Sequence, residues 1–287
     1  MYRKNITRRS RTAIVIAIDG SISMQEFTLL HSTRMRKMDA AALISNFIID
    51  ELITRATRAG DIRDYYDITV IQYSGDVIDT IIAEESGGMV PVNQLHNATP
   101  QPVSYNIVHM EDDGTQSTIP ITLHEWVKPK AYGIAPMYEA FVHIKDTITK
   151  WCNDDFNRNS FPPTVINITA GCCGDAEEDE LLDIADEIAS IGTKDGATLL
   201  INIELTDERS EHNESLLFPS LSQDISHDND GQMLYNMSST LPKELEPLIN
   251  KMLGEQHKGP YKCFARNASI CEILAISDIG TEKCNHY

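Results

Sequence analysis

Six consecutive apolar residues, Ala13-Ile14-Val15-Ile16-Ala17-Ile18, run without a break into Asp19-Gly20-Ser21-Ile22-Ser23-Met24. The run is short and β-branched, so it reads as a strand buried on both faces, as in a parallel sheet whose faces are both covered by helices. Such a strand delivers its last residue to the crevice at the carboxyl edge of the sheet, where open α/β folds bind ligands. Here that edge receives a carboxylate and two alternate hydroxyls. An all-oxygen set of this kind suits a hard cation such as Mg²⁺.

Periodicity along the chain agrees with alternating strands and helices, the pattern of a doubly wound α/β fold. A helix over about 39–58 carries Ala41, Ile44, Ile48 and Leu52 at helical spacing. Asp67 to Tyr73 reads as a strand, and Ser74-Gly75-Asp76 turns the chain into an antiparallel edge strand, Val77 to Ile82. Met137, Phe141, Ile144, Ile148 and Trp151 form one apolar helical stripe. A buried strand over 165–168, a helix over about 176–191 and a strand over 197–205 follow. Met233-Leu234-Tyr235 is expected as a last short strand, and a helix near 241–253 as the closing element.

Asp19-x-Ser21-x-Ser23-Met24 after a buried strand resembles the metal-ion-dependent adhesion site of von Willebrand factor A (vWA) domains. Two further loops resemble that family's pattern over about residues 11–253. Gly133-Ile134-Ala135-Pro136-Met137 stands where the family has a Gly-Gly-Thr-Pro loop before a helix. Thr169-Ala170-Gly171 stands where it has a strand ending in Thr-Asp-Gly. The scaffold glycines, proline and threonine are kept, but Ala135 and Ala170 are methyls where the family supplies a hydroxyl ligand and an outer carboxylate. The resemblance therefore implies a Rossmann-like, mostly parallel sheet flanked by helices, with a partly degenerate metal site. Asp19, Ser21 and Ser23 would hold Mg²⁺ weakly, because loss of outer-shell partners alone often lowers affinity 10–100-fold. Asp175 has two readings: a replacement metal group, or the N-cap of the following helix, with Glu178 in the capping-box position. No other cofactor is implied.

Two segments extend this plan. Residues 83–130 contain two strand-like runs, Tyr105 to Met110 and Thr118 to Leu123, around Asp112-Asp113-Gly114. They form an inserted β-hairpin lobe, either a variable surface loop or a partner platform. Trp126 is the partner-binding anchor expected from this lobe, unless it is buried where the lobe meets the core. Residues 1–10 are a basic tail. Residues 254–287 form a short tail, with a helix over 268–279 that packs on the domain.

Composition narrows the function. The chain has 287 residues, 43 acidic and 24 basic, giving a formal net charge of −19. That balance opposes nucleic acid and anionic membrane as partners. No apolar stretch reaches the ~20 residues of a membrane span. The six cysteines show no disulfide spacing, which fits reduced thiols in a cytoplasm. Cys263, Cys271, Cys284 and His286 lack the paired spacing of a zinc site. An enzyme is not expected. A phosphotransferase using Asp19 needs an acid/base two residues on, where Ser21 stands. The expectation is an interaction module, an adaptor or subunit of a larger assembly, that binds a protein partner at the carboxyl edge of the sheet. The alternative is a metal-dependent hydrolase or phosphotransferase using Asp19. The sequence leaves the oligomeric state open.

Overall fold

The computed structural model describes all residues except 1, 31–32, 84–87, 96–97, 111–114, 208, 210–214, 222–228, 254–258, 270–271, 274–275 and 277–287. Its centre is an eight-stranded sheet. The strands are β1 (Thr12–Asp19), β2 (Tyr66–Ser74), β3 (Val77–Ile82), β4 (Val90–Pro91), β5 (Thr164–Thr169), β6 (Leu199–Glu204), β7 (Leu216–Leu217) and β8 (Phe264–Arg266). The order is β7-β8-β6-β5-β1-β2-β3, with β4 also on β2. β2, β1, β5, β6 and β8 are parallel; β3, β4 and β7 are antiparallel. The architecture is therefore a doubly wound, mostly parallel α/β sheet.

β1 is central because every one of its residues is buried, and β2, β5 and β6 are equally enclosed. Helix α1 (Lys37–Ala56) covers one face, packing Leu43, Ile44, Ile48 and Leu52 on Ile14, Ile16 and Ile18. Helices α2 (Met137–Asn153), α3 (Glu178–Ser190) and α4 (Asn229–Met237) cover the other, around Val15, Ala17, Val165 and Leu200. The α2 stripe Met137, Phe141, Ile144, Ile148 and Trp151 faces the sheet as its periodicity requires. Helix α5 (Glu246–Leu253) adds Leu248 and Ile249 to the α1 side.

The lobe is a hairpin, Pro102–Met110 against Gln116–His124. It lies on α1 rather than extending the sheet. Ile107 and Leu123 join the α1-side core, and Val108 N–H donates to Thr33 Oγ1 at 2.8 Å.

Four expectations change. Residues 1–10 are not a free tail: Tyr2 and Ile6 are buried, the Tyr2 hydroxyl donates to Ala197 O, and Asp195 accepts the Arg3 and Lys4 amides. Their basic side chains still reach water, as the charge requires. Second, Met233-Leu234-Tyr235 is helical. Met233, Leu234 and Met237 recur at i, i+1 and i+4 and bury one face of α4, a period that three apolar residues alone do not reveal. Third, residues beyond 253 are not only a packing tail, because Phe264–Arg266 is a strand of the central sheet, beside β6. Three residues that end in a charge carry too little pattern to mark a strand in the sequence. Arg266 Nε donates to Glu204 Oε2 at 2.6 Å, and this pairing lets both ends be buried. Fourth, the strand expected over 197–205 begins at Leu199, because Gly196–Ala197 pairs with Gly192–Thr193 in a separate hairpin, whereas Ser74-Gly75-Asp76 turns β2 into the antiparallel β3 as expected and β4 also pairs with β2. Most of the expected helix over 268–279, and Cys271, Cys284 and His286, lie outside the described residues; Cys263 is fully buried in the core.

β8 makes a direct prediction. Phe264 is fully buried, so Phe264→Ala should lower the unfolding free energy by about 3–5 kcal/mol in urea titrations. A loss under about 1 kcal/mol would show that β8 is peripheral to the folded unit.

Candidate functional site

The parallel register sets Tyr73, Asp19, Thr169, Glu204 and Arg266 in a row at the carboxyl end of the sheet. The direction of winding reverses between β1 and β5, and a doubly wound sheet opens its crevice at that point. Asp19 closes it from below. Its Oδ1 accepts the Ser21 amide at 2.8 Å, and its Oδ2 accepts the Thr169 hydroxyl at 2.9 Å and the Ala170 amide at 3.2 Å. The side chain is 1% exposed. Burial pushes its carboxyl above the usual carboxylate range, and hydrogen bonds from Ser21, Thr169 and Ala170 pull back only part of that shift.

The loop after β1 begins with Ser21, whose Oγ is buried beside Asp19 and accepts no hydrogen bond. Ile22 to Gln25 form one 3₁₀ turn. Ser23 is half-buried, and its hydroxyl lies beside the Cys172 thiol, which burial raises and Ser23 lowers. Cys172 Sγ is also 3.8 Å from Asp230 Oδ2, at the start of α4.

The Gly133 loop docks alongside. Ile22 N–H donates to Gly133 O, Tyr132 N–H to Gly20 O, and Gly75 N–H to Ile134 O, all within 2.9 Å. Gly133 has φ +67°, and a Cβ there would lie 2.5 Å from Gly75 Cα. Only glycine allows the two loops to meet this closely. The loop places Ala135 beside this crevice and Ala170 over Asp19, both nearly buried. Asp19, Ser21 and Ala170 meet at this edge, and the loop that carries Ala135 is tied to the Ser21 loop through Ile22.

The donors do not make a complete hard-cation site. Mg²⁺ takes six ligands in near-ideal octahedral geometry. The loops offer two hydroxyls, while both oxygens of Asp19 already accept hydrogen bonds. Among the described residues, no three His, Cys, Asp or Glu side chains converge as a metal site needs. Asp175 does not fill the gap, nor does it cap its own helix. Its oxygens accept the Tyr138 and Glu139 amides at 3.1 and 3.0 Å, so it caps the N-terminus of α2 across space. Pro136 at the α2 N-cap has no side chain able to do so. The capping box of α3 is Glu177 with Glu180.

Trp126 lies elsewhere. Its indole N–H donates to Asp50 Oδ1 at 2.8 Å, in the fourth turn of α1 and about 20 Å along the axis from Lys37. Asp50 also accepts the His124 amide and faces His124 Nδ1 at 3.0 Å. Half-buried, Trp126 packs on the core and lines a groove of about 610 Å³ with Ile81, Ile82, Val90 and Leu95.

Several exposed side chains on the loops at this edge are apolar. Ile22, Val77, Tyr132 and Ile134 are 55%, 40%, 39% and 53% exposed. Four of the seven exposed large hydrophobics among the described residues therefore sit on one edge, although scattered single ones are ordinary. The sequence carried a signal for this: Ile22 lies between two serines and Ile134 follows a turn glycine, positions that polar residues usually fill.

No family model matches the chain. No curated protein matches it either. Among solved structures, the VWA domain of SpRpn10 is similar at 11% identity over 84% of this chain and 95% of that one, with a TM-score of 0.39. An uncharacterized membrane-spanning protein from Vibrio fischeri is similar at 10% identity over 86% and 100%, with a TM-score of 0.28. Likenesses this distant carry no weight for function. No helix among the described residues is long and apolar enough to cross a membrane.

The role of Asp175 is open to a direct check. Asp175→Ala should destabilise the fold by about 0.5–2 kcal/mol, the usual range for loss of a cap. Titration calorimetry with Mg²⁺ on the same variant should match the parent protein. A metal affinity that fell with this substitution would restore Asp175 as a ligand.

Proposed function

We propose that this chain is a protein-binding module of the vWA kind, an adaptor or subunit of a larger assembly, that docks its partner at the carboxyl edge of the sheet. The observation that carries the reading is the apolar rim of Ile22, Val77, Tyr132 and Ile134 around the Ser21 loop. Exposed apolar side chains gathered in one patch with a polar centre fit an interaction site. The patch stands on loops locked to each other by backbone hydrogen bonds, so little ordering entropy opposes docking.

Metal dependence is weak or nil in this reading, since the loops supply few free oxygens. Binding of Mg²⁺ in the millimolar order follows from the missing ligands. Catalysis through Asp19 is the second reading. It is less well supported, because a nucleophile needs a free, accessible oxygen, and both Asp19 oxygens are engaged and buried. A cytoplasmic setting accords with the free thiols of Cys152 and Cys263.

The test is affinity capture from the native cell with the immobilised chain, in chelator and in Mg²⁺. The comparison is an Ile22→Asp/Ile134→Asp double variant whose circular dichroism matches the parent. We expect the double variant to lose its specific partner by at least about tenfold and chelator to change little. Capture abolished by chelator would reject metal independence; capture untouched by the double variant would remove this edge as the docking surface.

A further inference from the structure

The crevice has a cation-seeking floor, an incomplete metal shell and an apolar rim. From these together we infer that it receives the side chain of a partner's lysine, with the ammonium occupying the place where a metal-competent relative holds its ion. The inference rests on the reading of this edge as a docking surface and names the partner group it takes.

The floor comes first. Asp19 is a buried carboxylate, and Asp230, whose Oδ2 lies 3.8 Å from Cys172 Sγ, adds a second negative charge at the rim. Beside Asp19, the Ser21 Oγ is buried and accepts no hydrogen bond. A hydroxyl oxygen has two lone pairs, so it can accept a donor brought in from outside. The two described lysines near this edge are already paired: Lys37 Nζ is 2.7 Å from Glu26 Oε2, and Lys130 is bound to Asp79.

The choice of cation follows from what each one requires. Mg²⁺ needs six oxygens in rigid geometry. An ammonium needs about three acceptors and tolerates irregular placement. Ser21 Oγ and Ser23 Oγ supply two, and carbonyls or water can supply the third. Guanidinium is disfavoured because its planar fork seeks a free bidentate carboxylate, and Asp19 already accepts one donor on Oδ1 and two on Oδ2. A lysine also brings a four-carbon apolar stem. Ile22, Val77, Tyr132 and Ile134 form a collar suited to that stem, which neither a hydrated metal nor a carboxylate would use. A protein of net charge −19 attracts such a partner and repels an acidic one.

The experiment uses the full chain labelled at isoleucine methyl groups and followed by NMR. The probes are acetyl-Ala-Leu-Lys-Leu-Ala-amide and the same peptide with norleucine, arginine or glutamate at the centre, each with and without Mg²⁺. The lysine peptide should move the Ile22 and Ile134 methyl signals and bind about tenfold more tightly than the norleucine peptide. Ser21→Ala removes one of the acceptors, so the variant, once its circular dichroism matches the parent, should lose most of that advantage. If lysine and norleucine peptides bind alike at Ile22 and Ile134, the lysine inference fails and the docking surface stands. Tightest binding of the glutamate peptide in Mg²⁺ overturns the inference in favour of a metal-bridged contact. If none of the peptides moves those two signals, both the inference and its docking surface are rejected.

Discussion

The carboxylate of Asp19 holds the functional edge together. β1 and β5 are neighbours at the point where the sheet reverses its winding, and the connecting helices leave in opposite directions there. Such a point would open without a tie. Asp19 provides one from the end of β1 by accepting the Ser21 amide from its own loop, and Thr169 and Ala170 from the end of β5. Two of these three donors are backbone amides that no ladder reaches, and the buried carboxylate satisfies both. The desolvation cost of that charge is the reason its carboxyl is raised.

A polar chain runs from this tie across the sheet. The Tyr73 hydroxyl donates to Asn167 Oδ1, Asn167 Nδ2 to Asn202 Oδ1, and Asn202 Nδ2 to Leu234 O and Ser238 Oγ. These side chains replace apolar ones in the middle of a dry core, and each link is satisfied. Such networks fix one arrangement of strands and helix because any slip leaves a buried amide unpaired. Here the chain ties β2, β5 and β6 to α4, the helix that also carries Asp230 at the rim.

The hairpin lobe serves the other end of α1. Asp50 gathers the His124 amide, the His124 ring and the Trp126 indole on one carboxylate, while Asn46 exchanges two hydrogen bonds with the Val127 backbone. Trp126 is thus held as part of the seam between lobe and helix, a separate place from the Ser21 crevice. An aromatic residue in a lobe of unknown docking is ambiguous in sequence, because burial and exposure ask for the same residue type.

The sequence by itself determined the class of the fold and the composition of the edge. An unbroken apolar run at Ala13 to Ile18 marks a doubly covered strand, Val165, Ile166 and Ile168 mark another around Asn167, and the stripe on Met137, Phe141, Ile144, Ile148 and Trp151 has one helical face to bury. Turn glycines mark where loops approach, and Asp19, Ser21 and Ser23 stand at a strand end whatever follows. Tertiary structure decided the rest. Asp175 caps a helix 38 residues earlier in the chain rather than its own, because Pro136 leaves the α2 amides without a local acceptor. Phe264–Arg266 becomes a strand because Glu204 waits beside it to neutralise Arg266. Ile22 and Ile134 become a shared rim because Gly75 and Gly133 bring distant loops into contact. Local pattern fixes what a segment can bury on its own; which distant group completes it depends on three-dimensional proximity, which no period in the sequence encodes.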